Sequence, residues 1–254
     1  MLVKELIDLG LTDAVMDKNG YVMATLPSNL PPKLAAALPV IGFLAHVDTS
    51  PEAPGVDVRP QLVKKYDGGD IVLSGDPTQV ISPKNTPELE NYLGWDLVTS
   101  DGTTLLGADD KAGVAEIMTA IEWFLMNPKI LRPTIRFGFT PDEEVGMGTA
   151  HFDIKAFGAS AAYTLDGGEI GEVENETFLA HMATITITGV NVHPGYAKGK
   201  LVNSQKPMGA IVDLIGAQPS PETTENREAY LHVHSTKGEV AKSVIQVLIR
   251  SFDD

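Results

Sequence analysis

One apolar run constrains the fold of this chain more than any other feature. The residues P-V-I-G-F-L-A-H-V at positions 39–47 have the length and texture of a strand that is buried on both faces. From His46 onwards the run turns polar, as expected where a buried parallel strand reaches the edge of its sheet. Because ligands gather at the carboxyl ends of strands in open α/β sheets, this edge is a first candidate for a functional site.

The segments that follow extend this strand into an alternating pattern. Apolar positions recur with the helical period over 111–126, and Asp110 lies where an N-cap belongs. Residues 51–101 are rich in Pro, Gly and Asp, which predicts loops with short strands. The other predicted elements are strands at 22–26, 134–139 and 159–165 and a short helix at 154–157. This alternation predicts an α/β domain with a mostly parallel, mixed sheet flanked by helices.

The pattern changes after about residue 178. The predicted elements of this last part are strands at 182–190, 229–235 and 243–252 and a helix at 204–215. Their β-α-β-β order resembles the opening of a ferredoxin-like α+β sandwich, whose full cycle needs one more helix and strand. We therefore predict two domains, residues 1–177 and residues 178–254, and we expect the smaller second domain to be incomplete.

Charge and composition exclude several classes of function. The chain has 34 acidic and 19 basic side chains and a formal net charge of −15, which disfavours binding to nucleic acid or to an anionic membrane surface. It has no Cys, so a metal site must use His, Asp and Glu. No stretch approaches the roughly 20 apolar residues that a membrane helix needs, and a soluble, cytoplasmic protein is the default expectation.

Acidic and imidazole groups recur at the strand ends and helix starts of the first domain. They are His46, Asp48, Asp109, Asp110, Glu143, Glu144 and Asp166. Each alone is most often a cap or a solvated turn residue, but together they would face one sheet edge. One His with several carboxylates suits Zn, Mn or Co. A carboxylate can bridge two such metals while another stays off them as a proton carrier, and spacing alone leaves open which residue does which.

Several motifs in order resemble the M20 metallopeptidases, most closely their tripeptide aminopeptidases. The four main motifs are H-V-D-T-S from His46, G-A-D-D-K-A-G at 107–113, D-E-E-V-G at 142–146 and T-L-D-G-G-E at 164–169. Two further segments, D-G-T-T at 101–104 and N-V-H-P-G-Y-A-K-G-K-L-V-N at 191–203, strengthen the likeness. Agreement of so many motifs by chance is improbable. The resemblance implies a zinc-exopeptidase-like fold for the first domain.

The resemblance also implies a ligand set for two zinc ions, with Mn or Co as alternatives. Asp109 would bridge the metals, and the peptide bond after it tends to be cis in this family. His46 and Asp166 would complete one metal site, and Glu144 would ligate the second metal. These assignments come from matching positions in the motifs.

Three further residues acquire catalytic roles from the resemblance. Asp48 would orient His46 and raise its basicity. Glu143 would be the general base that activates the metal-bridging water, and later the acid that protonates the leaving nitrogen. His193, in the second domain, would stabilise the oxyanion that forms on the substrate's carbonyl oxygen, in some family members from the partner subunit.

The implied activity is release of the N-terminal residue from tripeptides. The alternatives are another M20-type amidohydrolase, such as a deacylase, dipeptidase or carboxypeptidase, or a catalytically silent, truncated fragment. The implied partners are short peptides, and a homodimer through the second domain is compatible with the resemblance.

The chain departs from the family in one respect that bears on activity. In the family, the second metal takes a further His from a segment that returns to the catalytic domain after the smaller domain. We find no such segment here, and the N-terminal helix begins abruptly. We therefore expect this chain to be part of a larger enzyme and to have little activity alone.

Overall fold

A computed structural model of the chain describes residues 1–168 and 170–252. Glu169, the last residue of the T-L-D-G-G-E motif, and the two C-terminal aspartates lie outside the described residues. The chain forms two compact units, Met1–Glu172 and Val173–Asp254. No helix among the described residues is both long enough and apolar enough to cross a membrane. The division into a catalytic domain at 1–177 and an incomplete smaller domain at 178–254 stays a prediction.

The first unit alternates strands and helices along the chain. Its helices are α1 (Leu2–Asp8), α2 (Pro32–Ala35), α3 (Ala108–Met126) and α4 (Ile154–Phe157), with a 3-10 helix at Pro87–Tyr92. Its strands are β1 (Val15–Met16), β2 (Val22–Leu26), β3 (Ile41–His46), β4 (Gln61–Val63), β5 (Ile71–Val72), β6 (Val80–Ile81), β7 (Leu97–Thr99), β8 (Ile135–Thr140) and β9 (Ala161–Thr164).

A five-stranded sheet with the order β1-β2-β8-β3-β9 forms the centre of this unit. Strand β3 pairs in parallel with β8 on one side and with β9 on the other, and β2 pairs with β8 antiparallel. The mixed, largely parallel sheet with flanking helices confirms the predicted fold class. The three parallel strands place their carboxyl ends at one edge, where His46 is the last residue of β3.

Helix α3 packs on this sheet through a narrow apolar stripe. Ile117 and Ile121 are buried in the main hydrophobic core, which includes Phe137 and Phe139 of β8. Gly113 allows a close approach, because a Cβ at this position would lie 2.0 Å from the carbonyl oxygen of Leu165. The start of α3 therefore lies directly against the chain that leaves β9.

Residues 51–101 form a region with little regular structure, as predicted. Strands β4 and β7 pair antiparallel, and so do β5 and β6. The region has a small apolar core of its own, formed by Tyr66, Ile71 and Leu73.

The second unit is a three-stranded antiparallel sheet with one long helix. Its elements are strands β10 (Leu179–Thr188), β11 (Tyr230–Gly238) and β12 (Lys242–Ser251), helix α5 (Gln205–Gly216) and 3-10 helices at Pro194–Tyr196 and Pro221–Thr223. The sheet order is β10-β12-β11, so β12 lies between two strands that are antiparallel to it. Helix α5 packs on β11 and β12. This is the β-α-β-β arrangement predicted from the sequence.

Candidate metal centre

The candidate site is built from the carboxyl ends of the three parallel strands. His46 ends β3, Glu143 and Glu144 follow β8 within four residues, and Asp166 follows β9 within two. Asp109 is contributed by the irregular first turn of α3, which precedes the regular helix. The topology therefore brings together residues that are far apart in the sequence, at the edge where open α/β sheets hold ligands.

The imidazole of His46 is the centre of this cluster. It is buried, with 3% of the residue exposed. Its Nε2 lies 2.8 Å from Oδ1 of Asp109, 3.8 Å from Oδ1 of Asp166 and 3.9 Å from Oε2 of Glu143. Burial acts to lower the pKa of His46, but the bond to Asp109 and the charges of the surrounding carboxylates outweigh it and raise this pKa.

Asp48 connects the histidine to the acidic turn. Its Oδ1 lies 3.3 Å from Nδ1 of His46, a buried atom that has no hydrogen-bond partner with acceptable geometry. The same carboxylate accepts hydrogen bonds from the backbone N–H groups of Glu143 (3.2 Å) and Glu144 (3.1 Å). Burial acts to raise the pKa of Asp48, but these donors lower it overall. Asp48 therefore stays charged and fixes the start of the turn.

Asp110 lies in the cluster, as its place among the acidic groups at this sheet edge predicts, but the sequence did not indicate which contacts it makes. Its Oδ1 accepts a hydrogen bond from the N–H of Gly113 at 3.2 Å, which fits the predicted cap of α3. Its Oδ2 also accepts from the backbone N–H of His46 at 3.0 Å. Burial, together with the charge of Asp166, raises the pKa of Asp110 to about 6 despite these donors. The doubled aspartate of the G-A-D-D-K-A-G motif was the available signal.

The peptide bond between Asp109 and Asp110 is cis, as the family resemblance implied. The two carboxylates belong to different parts of the cluster. Asp109 lies beside Nε2 of His46, and Asp110 lies beneath its backbone.

Among the residues that the structure describes, two groups of side chains are arranged closely enough to hold a metal ion. They are His46, Asp109 and Glu144, and His46, Asp110 and Asp166. Within each group, one ligand atom per residue lies within 4.8 Å of the others. The predicted ligand set places Asp109, not Asp110, with Asp166, and this assignment stays a prediction. In both groups the imidazole is that of His46.

The donor set fits divalent cations. Burial is the largest cause of a raised pKa for both Glu143 and Asp166, and nearby carboxylates contribute, although His46 acts in the opposite direction. Carboxylates gathered this closely repel one another, so a positive ion at this point is favourable. One imidazole with carboxylate oxygens and no thiolate suits Zn, Mn or Co.

A small cavity opens beside the cluster. Its volume is about 270 Å³, and its lining includes His46, Glu143, Asp166, Thr140 and Phe152. This volume is near the lower end of the range for ligand pockets and suits a small substrate group.

The last predicted site residue, His193, belongs to the second unit. It directly precedes the 3-10 helix Pro194–Tyr196, and its Nδ1 accepts a hydrogen bond from the N–H of Gly195 at 3.1 Å. Its ring is exposed. The predicted role of His193 in catalysis stays a prediction.

Comparison with known proteins points to one group of peptidases, although no protein-family model matches the chain. The chain is 51% identical to the Peptidase T of Geobacillus kaustophilus over 253 residues, which are 100% of this chain and 61% of that protein. The chain therefore spans about three fifths of the length of the curated relatives that it matches.

Solved structures give the same result. The crystal structure of aminopeptidase PepT from Bacillus cereus matches with a TM-score of 0.67 and 25% identity, over 100% of this chain and 60% of that one. A dinuclear metal-binding peptidase of the M20 family from Bacillus subtilis matches with a TM-score of 0.53 over 100% of this chain and 57% of that one. At 13% identity, the second match shows the fold alone.

Proposed function

Because this chain belongs to the peptidase T family of M20 peptidases, we propose that the whole protein is a dinuclear metallo-aminopeptidase that releases the N-terminal residue of tripeptides. The observation that carries this proposal is the group of carboxylates around Nε2 of His46, at the edge where β3, β8 and β9 end. We further propose a cytoplasmic location and a homodimer formed through the second unit.

Two divalent cations, zinc by preference and Mn or Co as alternatives, would bind among these side chains. Asp109 would bridge them, His46 and Asp166 would complete one site, and Glu144 would ligate the other ion. When bound, such cations polarise a substrate carbonyl and lower the pKa of water, which makes water a nucleophile near neutral pH. The mutual repulsion of the carboxylates supports cation binding among them, and the division into two sites follows the family motifs.

Glu143 would act as the general base and then as the acid. Its Oε2 lies 3.9 Å from Nε2 of His46, and its side chain is about half exposed, within reach of both the cluster and the cavity. Its pKa is raised, chiefly by burial, which brings a carboxyl group closer to the pKa that suits proton transfer near neutral pH. It would accept a proton from water and pass it to the leaving amine.

Two residues would support this chemistry without carrying the proton. Asp48, beside Nδ1 of His46, would keep the ring oriented with Nε2 towards the cluster. It would also fix the backbone of Glu143 through the hydrogen bond described above. His193 would donate a hydrogen bond to the oxyanion that forms on the scissile carbonyl.

For the 254-residue chain by itself we propose little activity. In this assignment the second ion would have only two protein ligands among the described residues, Glu144 and Asp109, and it would share Asp109 with the first ion. A tight zinc site normally has three or four protein ligands of its own. This sharing favours weak binding of at least one of the two ions.

Elemental analysis and peptide hydrolysis test these proposals together. Two firmly bound ions per chain would support the dinuclear site and contradict the weak binding proposed for this chain, whereas no bound ion at saturating Zn or Mn would contradict the metal site itself. The exchange Asp109→Asn should abolish firm binding, whereas the control Glu52→Gln, an exposed carboxylate, should not change it. Turnover near that of an intact relative would overturn the expectation of little activity.

Substrate blocking distinguishes the activity from the alternatives. An aminopeptidase depends on the free α-amine, so N-acetylated tripeptides should resist cleavage. Equal cleavage of N-acyl amino acids or blocked peptides would favour a deacylase or carboxypeptidase instead. Loss of cleavage in Glu143→Gln with unchanged metal content would support its role as the base.

A further inference from the structure

The loop that carries His193 is a closed structure with its own hydrogen bonds. We define the His193 loop as residues 190–202. Val190 and Val202 form a β-bridge, with both backbone N–H to O distances between 2.8 and 3.0 Å. Within the loop, the 3-10 helix Pro194–Tyr196 is capped by the side chain of His193 itself, and the rings of His193 and Tyr196 are 5.8 Å apart. The geometry of the loop is thus fixed locally.

The base of this loop is bound to the turn between β11 and β12. The backbone N–H of Gly189 donates to the carbonyl of Ala241 at 2.8 Å, and that of Ser204 donates to the carbonyl of Val240 at 3.1 Å. A Cβ at Gly189 would lie 2.2 Å from the carbonyl oxygen of Val240. The two backbone segments can therefore approach this closely only because residue 189 is glycine.

Two buried serines complete this attachment, and both are 0% exposed. The hydroxyl of Ser204 donates to the carbonyl of Glu239 at 2.6 Å, because a carbonyl oxygen only accepts. A hydroxyl has one proton, so at the 2.8 Å contact between Ser204 and Ser243 the donor must be Ser243. The chain Ser243 to Ser204 to Glu239 is therefore directional, and its loss would leave buried polar atoms without partners.

The cap on the 3-10 helix also determines which ring nitrogen of His193 carries the proton. Nδ1 accepts the N–H of Gly195, so it carries no proton of its own. A neutral imidazole in this arrangement has its proton on Nε2. None of the residues that the structure describes bonds to Nε2, and the ring is exposed, so this N–H is available to an outside acceptor.

We infer that Ser204 and Ser243 are positioning residues, which hold the His193 loop so that His193 presents a neutral ring with an Nε2–H donor to the substrate's carbonyl oxygen. The inference rests on the proposed function, because a donor is useful there only if an oxyanion forms. The serines touch no substrate in this scheme. They act through the loop, whose base they attach to β12 and to the turn that precedes it.

The test is nitrogen-15 NMR of the histidine side chains in the 254-residue chain, at a pH high enough for imidazoles to be neutral. We expect the two ring nitrogens of His193 to show the shifts of a single Nε2–H tautomer, whereas the exposed His181 should show averaged shifts. In Ser204→Ala the His193 shifts should move towards the averaged values. In the control Ser235→Ala, which removes an exposed hydroxyl bonded to Gln246, they should not move.

A second measurement needs no variant, in case Ser204→Ala does not fold. The amide of Gly195 should exchange with solvent at least about tenfold more slowly than an unbonded amide of an exposed loop, because it is bonded to Nδ1. Averaged His193 shifts in the unmodified chain would overturn the inference, and so would shifts that Ser204→Ala leaves unchanged or a Gly195 amide without protection. A single tautomer in a chain without peptidase activity would contradict only the proposed function.

Discussion

The metal centre of the first unit and the His193 loop of the second unit are stabilised in opposite ways. At the metal centre, segments from across the sequence bring carboxylates together, and the ion pairs described for them all involve His46. In the His193 loop, neutral groups close in sequence bond to one another and to a single turn. We therefore expect a bound cation to stabilise the first site, whereas the second is stabilised by its own hydrogen bonds.

This difference predicts that the metal centre and the His193 loop respond differently to metal binding and to substitution. Metal binding should alter the stability of the first unit and leave the His193 loop as it is. Loss of a buried hydroxyl should loosen the loop and leave metal binding as it is. Substitutions in each unit and titration with a divalent cation test this separation.

The largest expected effect follows from removing a core aromatic side chain of the first unit. Phe137 is 2% exposed in the main core, and Phe137→Ala should lower the free energy of unfolding of this unit by about 3–5 kcal/mol. Amide exchange measured residue by residue should show lost protection in β3 and β8 but not in β10 and β12. Equal loss of amide protection in both units would show that the core of the first unit also stabilises the second. Phe178→Ala, at an exposed position of the second unit, is the matched control.

The next effect is the stabilisation of the first unit by a divalent cation. At a free concentration one hundred times the dissociation constant, a single bound ion should stabilise the unit by about 2.7 kcal/mol, measured by thermal unfolding with Zn or Mn. The gain should disappear in Asp109→Asn and at acidic pH, where protons compete for the ligands. It should persist in His193→Ala. A gain that is lost in His193→Ala would show that the two regions are not separate.

The parts of the fold that were predictable from sequence are those with a strong local pattern. The run at 39–47 predicted β3, and the helical period at 111–126 matches the regular part of α3, since Asp109 and Asp110 are not helical in φ and ψ. The sequence did not indicate that β2 would pair antiparallel with β8, beside the parallel strands. Strand order depends on packing between distant segments, which local periodicity does not report.

The site divides in the same way. That His46, Asp109, Glu143 and Asp166 would meet was predictable, because each stands at a strand end or helix start. The hydrogen bond that Asp110 makes was not predictable, because it joins this carboxylate to the backbone of His46, 64 residues away in the sequence. An aspartate before a helix is in most cases only a cap, and Asp110 serves both purposes at once.

A smaller effect is expected from the removal of this carboxylate. Asp110→Ala leaves two buried N–H groups without an acceptor and should destabilise the first unit by about 2 kcal/mol at pH 5, measured by denaturant unfolding without metal. The folded-state pKa of about 6 exceeds the ordinary 3.8, so the stability that Asp110 contributes is lost as pH rises through 6. The destabilisation should accordingly be smaller at pH 8.

The matched control for this variant is Asp70→Ala, at an exposed position away from the cluster. It should change stability little at either pH. A loss of stability in Asp110→Ala that grows between pH 5 and pH 8 would mean that the hydrogen bonds to the charged carboxylate outweigh its burial.

The smallest effect is expected in the second unit. Ser243→Ala removes one hydrogen bond to Ser204, which keeps its bond to the carbonyl of Glu239, so the loss should be only about 1 kcal/mol. Faster amide exchange at Val190 and Val202 would report it, because their bridge closes the His193 loop. The metal-induced gain in the first unit should stay unchanged in the same variant. If Ser243→Ala reduced the stabilisation of the first unit by metal, the metal centre and the His193 loop would be coupled. The two regions would then not be stabilised separately.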